Sequence, residues 1–152
     1  MPMPWTYRHA SKEFSAFLDD VRARMGLESD NMAYTAVDGV FQVFRRRLTA
    51  EQGLAFASVL PSVLRAMFIK DWIPAEHPAP FADRRTLTRE VQAVRPHHNL
   101  TPKSAIADTA WAVRRCVDQR ALDRVLARLP EGAADYWHVE VVDPKELDQR
   151  IV

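Results

Sequence analysis

From residue 11 onward, apolar side chains return at intervals of three and four. Phe14, Phe17, Leu18, Val21 and Met25 fall on one face, which is the period of an amphipathic helix and not of a strand. Ser11 is the candidate N-cap of this helix, and Gly26 stands where a left-handed C-terminal cap is needed. A second face follows in Ala33, Ala36, Val37, Val40, Phe41, Phe44 and Leu48, opened by Ser29 or Asp30. Thr49 and Gln52 have the spacing of a capping box, which predicts a third helix running to Leu60. Pro61 ends that helix and is suited to begin a fourth, over "PSVLRAMFIKDW". Pro74, Pro78 and Pro80 then mark an extended, stiff connector.

Beyond the connector the pattern starts again. Leu87, Val91 and Val94 match Phe14, Leu18 and Val21 at an interval of seventy-three, and Asn99-Leu100 matches Gly26-Leu27 at the same interval. Asn is the usual substitute in a left-handed cap, and Thr101-Pro102 reads as an N-cap followed by proline at the first helical position. From there the interval is sixty-nine. Ala36, Val37, Phe41, Phe44 and Leu48 meet Ala105, Ile106, Ala110, Val113 and Val117, and Arg45-Arg46 meets Arg114-Arg115. Phe56, Ala57, Leu60 and Pro61 meet Val125, Leu126, Leu129 and Pro130, and Met67-Phe68 meets Tyr136-Trp137. The pattern predicts an all-α bundle of about eight helices, built from two similar four-helix repeats. The first repeat spans 11–73, the Pro-rich linker 74–83, the second repeat 84–142, and a tail 143–152 carries a short helix capped by Asp143 with Pro144 at its first position. Two units this small are expected to share one core.

"FRRRL" closing the second helix, the "VLPSVLR" junction and the "DWIP" exit together resemble the bacterial family catalogued as domain of unknown function twenty-two sixty-seven. The resemblance covers about residues 12–138. Where that family usually has glutamine before its Leu-Pro, this chain has Val59 and Arg128. The resemblance implies the fold and carries over no catalytic residue.

Composition narrows the classes of function. Net charge is +1, with 9 basic and 9 acidic residues in 1–76 and 12 and 11 in 77–152. Such a balance gives no general field for nucleic acid or a membrane surface. The single cysteine, Cys116, precludes an intrachain disulfide and a thiolate zinc cluster. The N-terminus lacks the apolar segment of a secretory signal, and the expected setting is the cytoplasm, with no membrane contact. No cofactor is implied and no metal site is expected. His97-His98-Asn99 reads as helix-terminal chemistry, because adjacent helical histidines point about 100° apart. Cys116 lies on a core-facing helix and is expected to be inert. No catalytic constellation is found.

Two surfaces remain as candidates. "AEQGLAFASVL" is apolar on nearly every side, so the helix is either enclosed or an interface. Leu54, Ala55 and Val59, with Trp72 as an aromatic anchor, are the candidate contacts for an unknown protein partner or a second copy. A non-catalytic interaction or self-association module is the leading expectation. The alternative is a nucleic-acid-binding accessory protein. It would use Arg114 and Arg115 together with Arg120, Arg124 and Arg128, which repeat at every fourth residue along one helical face.

Overall fold

The computed structural model describes residues 1–98 and 100–149, with the side chain of His98 left aside. The expected Asn99 cap lies outside the described residues. Described residues form helices, turns and loops, and no strand occurs among them. The helices are α1 (Trp5–Arg8), α2 (Ala10–Met25), α3 (Asp30–Arg45), α4 (Ala50–Ala57) and α5 (Ser62–Ile69). After the linker come α6 (Arg84–Ala93), α7 (Ala105–Arg114), α8 (Gln119–Leu126) and α9 (Ala133–Tyr136), with 3₁₀ turns at Pro96–His98 and Pro144–Leu147.

Local chemistry accounts for most boundaries. Ser29 accepts the Met32 amide at 3.2 Å. Thr49 accepts the Gln52 amide at 3.2 Å while the Gln52 side chain accepts the Thr49 amide at 2.9 Å, so the capping box is complete. Gly26 closes α2 at φ 67°, a conformation that a side chain disfavours. Asp143 accepts the Lys145 amide at 3.0 Å at the head of the tail's 3₁₀ turn.

Other boundaries differ from those expected. Ser11 does not cap α2, which begins at Ala10 behind His9; the chain enters it directly from α1, which ends at Arg8. Thr101-Pro102 does not open α7 either. The helix begins at Ala105, after a turn in which the Ala105 amide donates to the Pro102 carbonyl at 3.1 Å. Pro61 precedes the first residue of α5, and α4 ends at Ala57, with residues 58–60 forming a turn. The fourth helix of the second half shrinks to the single turn of α9.

The core is centred on α3, which packs against α2, α5, α6 and α7. Its Phe41 and Phe44 are fully buried. Phe44 lies 4.8 Å from Phe56, 5.0 Å from Tyr136, 5.4 Å from Trp137 and 5.8 Å from Phe81, ring centre to ring centre. Rings from both halves and from the linker therefore meet on one residue. The Tyr136 hydroxyl donates to the Val40 carbonyl at 2.7 Å, which satisfies its polar end inside an apolar site.

The interval of sixty-nine recurs in the backbone. The Arg46 amide reaches the Gln42 and Phe44 carbonyls, and the Arg115 amide reaches those of Trp111 and Val113. The Ser58 amide reaches Leu54 and Phe56; the Ala127 amide reaches Asp123 and Val125. Thr49 caps α4 and Asp118 caps α8. The linker is pinned rather than free. The Ala79 amide donates to the Arg46 carbonyl at 3.1 Å, and the Phe81 side chain packs against Gly132, whose φ is 101°.

Candidate functional site

The arginines divide by what their side chains touch. Arg114 is buried, 8% exposed. Its Nε donates to the Trp137 carbonyl at 2.7 Å, Nη1 to Gln119 Oε1 at 3.3 Å and Nη2 to Asp123 Oδ1 at 3.0 Å. Arg115 binds the Asp20 carboxylate at 3.1 Å and the Glu146 carbonyl at 3.0 Å. It also stacks on Trp111, whose other neighbouring cation is Arg24. Both arginines thus donate to acceptors inside the molecule, tying the end of α7 to α9, α8, α2 and the tail. The sequence shows two cations at a helix end, where the dipole alone would explain them; the carbonyl that accepts from Arg114 comes from 23 residues away. Arg120, Arg124 and Arg128 lie exposed along α8 and the turn after it. Among the described residues their side chains make no hydrogen bond or ion pair.

Arg45, Arg46 and Arg47 behave in a comparable way. Arg47, 5% exposed, binds the Glu90 carboxylate through both terminal nitrogens and the Val43 carbonyl at 2.9 Å. The Arg47 guanidinium holds the Glu90 carboxyl below its ordinary pKa, with the nearby Arg46 adding to the effect. Arg45 Nη1 donates to the Phe68 carbonyl at 2.7 Å and the Lys70 carbonyl at 3.0 Å.

The apolar candidate is only partly enclosed. Gly53, Phe56, Ala57 and Leu60 face the core, whereas Leu54 is 58% exposed and Ala55 is exposed. Val59 is half-buried. Trp72 is half-buried too, its six-membered ring laid on Gly53 so closely that a Cβ there would overlap it. Leu122, sixty-nine residues after Gly53, is fully buried; Gly53 itself is covered by the Trp72 indole from beyond α5. Trp72 also packs on Phe68 at 5.9 Å and faces the Arg45 guanidinium at 6.0 Å.

Trp72 forms one wall of an open groove with Gln42, Arg45, Arg46, Asp71, Ile73 and His77 among its lining residues. Ile73 on this rim is 90% exposed. Asp71 has φ 56°, which turns the chain sharply into the linker. Its carboxyl is held below its ordinary pKa by the Lys70 ammonium 2.7 Å away. Arg45, Asp71 and His77 were not legible as site residues. The signal that could have found them is the register itself, which sets Ala50 and Leu54 opposite Gln119 and Asp123.

Two features of the sequence have structural roles. Cys116 donates to the Val113 carbonyl at 3.3 Å, and burial of its sulfur raises its pKa, the condition of an unreactive thiol. His97 sits in the 3₁₀ turn after α6, and no group of three or more metal-ligating side chains assembles among the described residues. None of the described helices is long and apolar enough to cross a membrane.

These features define an all-helical bundle whose polar clusters mostly serve internal packing. The family described as uncharacterized conserved protein (DUF2267) matches residues 14–136, which is most of the chain, and the protein belongs to that family. No curated protein matches the chain.

Proposed function

We propose that the chain is a non-catalytic interaction module of the bacterial cytoplasm, assembled from two copies of one four-helix unit. The paired backbone bonds at an interval of sixty-nine support the duplication, and the lone shielded thiol fits a reducing compartment. The working surface is the outer face of α4 together with Trp72 and Ile73. The observation carrying this reading is that Leu54 is 58% and Ile73 90% exposed, each next in the chain to one partner of the Gly53–Trp72 contact. Scattered exposed apolar residues are ordinary, but two of them next in the chain to a seated, half-buried tryptophan supply the aromatic anchor and apolar area that an interface uses.

The test is in-cell cross-linking of the full chain followed by mass spectrometry, with sedimentation velocity to detect a second copy. Leu54→Glu with Ile73→Glu should remove the wild-type complex and leave the circular dichroism unchanged. A complex that survives both substitutions refutes the reading.

A second reading has one specific observation in its favour: Arg120, Arg124 and Arg128, on α8 and the turn after it, make no side-chain hydrogen bond or ion pair among the described residues. It takes nucleic acid as the partner. It requires affinity that falls steeply with salt and is abolished by Arg120→Glu with Arg124→Glu; no binding at low salt eliminates it.

A further inference from the structure

The two halves treat matching arginines differently. Arg114 donates to the carbonyl of Trp137, and Arg45 donates to the carbonyl of Phe68, both at 2.7 Å and both 23 residues on. Arg114 then finds two side-chain acceptors on α8, Gln119 and Asp123. The residues at those positions on α4 are Ala50 and Leu54, which accept nothing. Arg45 takes the Lys70 carbonyl instead and faces Trp72. It is 9% exposed, and among the described residues no carboxylate is in ion-pair contact with it. Asp38 and Asp71 act on it from farther away. Each has a nearer partner, Gln42 at 2.7 Å for Asp38 and Lys70 at 2.7 Å for Asp71.

A guanidinium withdrawn from water with only neutral acceptors is electrostatically incomplete. Desolvation accordingly pulls the Arg45 pKa down. The second half completes the same arrangement with a carboxylate of its own. In the first half an open groove lies beside Arg45, between the end of α3 and the linker, with Arg46, Asp71 and His77 also lining it.

We propose that the groove over Arg45 receives a carboxylate carried by an extended peptide segment of a protein partner, with an apolar neighbour resting on Trp72 and Ile73. The proposal rests on the reading that this side of the molecule meets a protein. A monoanion suits the site better than a phosphate. Asp71 lines the groove and Asp38 stands near, so a second negative charge would be repelled, and carboxylate is the group that Asp123 already supplies to Arg114. A planar carboxylate also matches the guanidinium fork, and the indole and Ile73 favour an apolar group beside it.

The experiment is a titration of the uniformly ¹⁵N-labelled full chain followed by NMR. The probes are N-acetyl-leucine, its uncharged amide, N-acetyl-glutamyl-leucinamide and inorganic phosphate. A carboxylate probe should shift the Trp72 indole and Arg45 Nε–H signals to saturation, with a dissociation constant on the order of 1–10 mM for ligands this small. The amide should bind at least tenfold more weakly, roughly what loss of a charge-assisted contact implies. Preference between the two carboxylate probes assigns the group to a chain terminus or to an acidic side chain.

Arg45→Gln should abolish the response. Asp71→Asn removes a facing negative charge at an exposed position where Asn tolerates positive φ, and it should tighten carboxylate binding about twofold. If Arg45→Gln fails to fold, the acid–amide contrast and Asp71→Asn decide. Equal binding of acid and amide, tighter binding of phosphate, or no saturable shift overturns the proposal. Loss of the cross-linked complex on Leu54→Glu with Ile73→Glu, in a protein whose groove binds no carboxylate, would leave the interaction surface standing and remove only this inference.

Discussion

Gly53→Ala tests whether the Trp72 indole is truly seated on α4. In an ordinary helix interior the change stabilises by about 1 kcal/mol, because glycine loses more backbone freedom on folding. Here the new methyl would overlap the six-membered ring of Trp72. The ring is the mobile end of a half-buried side chain, so it would swing into solvent rather than push α4 away. Roughly 100 Å² of apolar contact would be lost, costing about 2.5 kcal/mol. The single change should therefore destabilise by about 1.5 kcal/mol. Trp72→Ala alone should cost about 2.5 kcal/mol. With Trp72 already removed, Gly53→Ala has nothing to displace and should stabilise by about 1 kcal/mol. The sign of the effect thus reverses between backgrounds, with a coupling of about 2.5 kcal/mol. Urea unfolding followed by far-UV circular dichroism measures all four proteins without depending on tryptophan emission. If Gly53→Ala shifts stability in the same direction in both backgrounds, the indole does not occupy that seat.

Further perturbations probe the other clusters. Glu90→Gln leaves the buried Arg47 without its carboxylate and should cost about 2–4 kcal/mol in urea unfolding. The Glu90 pKa is depressed in the folded state, so its contribution is present above its ordinary value of 4.5 and is lost as pH falls through the lower folded value. The acid-unfolding midpoint of Glu90→Gln should accordingly respond less to pH in that range, and an unchanged acid profile would contradict the pairing. Gly132→Ala places a methyl 2.6 Å from Phe81 at φ 101°; a loss of about 2–3 kcal/mol is expected from backbone strain and the displaced ring, and a neutral result in thermal unfolding would show that the linker is not held there. Arg120→Glu, Arg124→Glu and Arg128→Glu should each leave stability within about 0.5 kcal/mol, whereas Arg114→Gln should cost about 2–3 kcal/mol, mainly by leaving the buried Trp137 carbonyl without its charged donor.

What the sequence could convey followed the range of the forces involved. Caps act over three residues, and Ser29, Thr49 and Gly26 have the roles their neighbours imply. The apolar periods located the core face of α3, where every expected residue from Ala33 to Phe44 is buried. Ser11 and Thr101 misled because a cap motif is only an offer; the chain entered α2 from α1 and delayed α7 by a turn. The short α1 has no apolar period and left no signal. The candidate sites depended on distant partners. Leu54 and Ala55 lie on the outer side of α4 because the eight-residue helix turns only its other face inward. Arg114 and Arg115 look like surface cations until the Trp137 carbonyl and Asp20 arrive from elsewhere in the chain. Trp72 belongs on Gly53 because glycine leaves a hole, a relation of shape that no hydropathy pattern records.

The seating of Phe81 on Gly132 has a consequence for how fast the molecule can assemble. Pro74, Pro78 and Pro80 limit the shapes that the connecting segment samples before folding, and a stiffened segment of this length makes a narrow search for its landing place. The ring arrives beside Phe44 and Tyr136, 5.8 Å and 6.3 Å away, at the meeting point of the early and late portions of the chain. A connector that sets this alignment while the parts join would act as a jig, and refolding kinetics test whether it does. Replacing its prolines with alanine would slow refolding more than it would hasten unfolding, a kinetic division that equilibrium stability alone does not reveal.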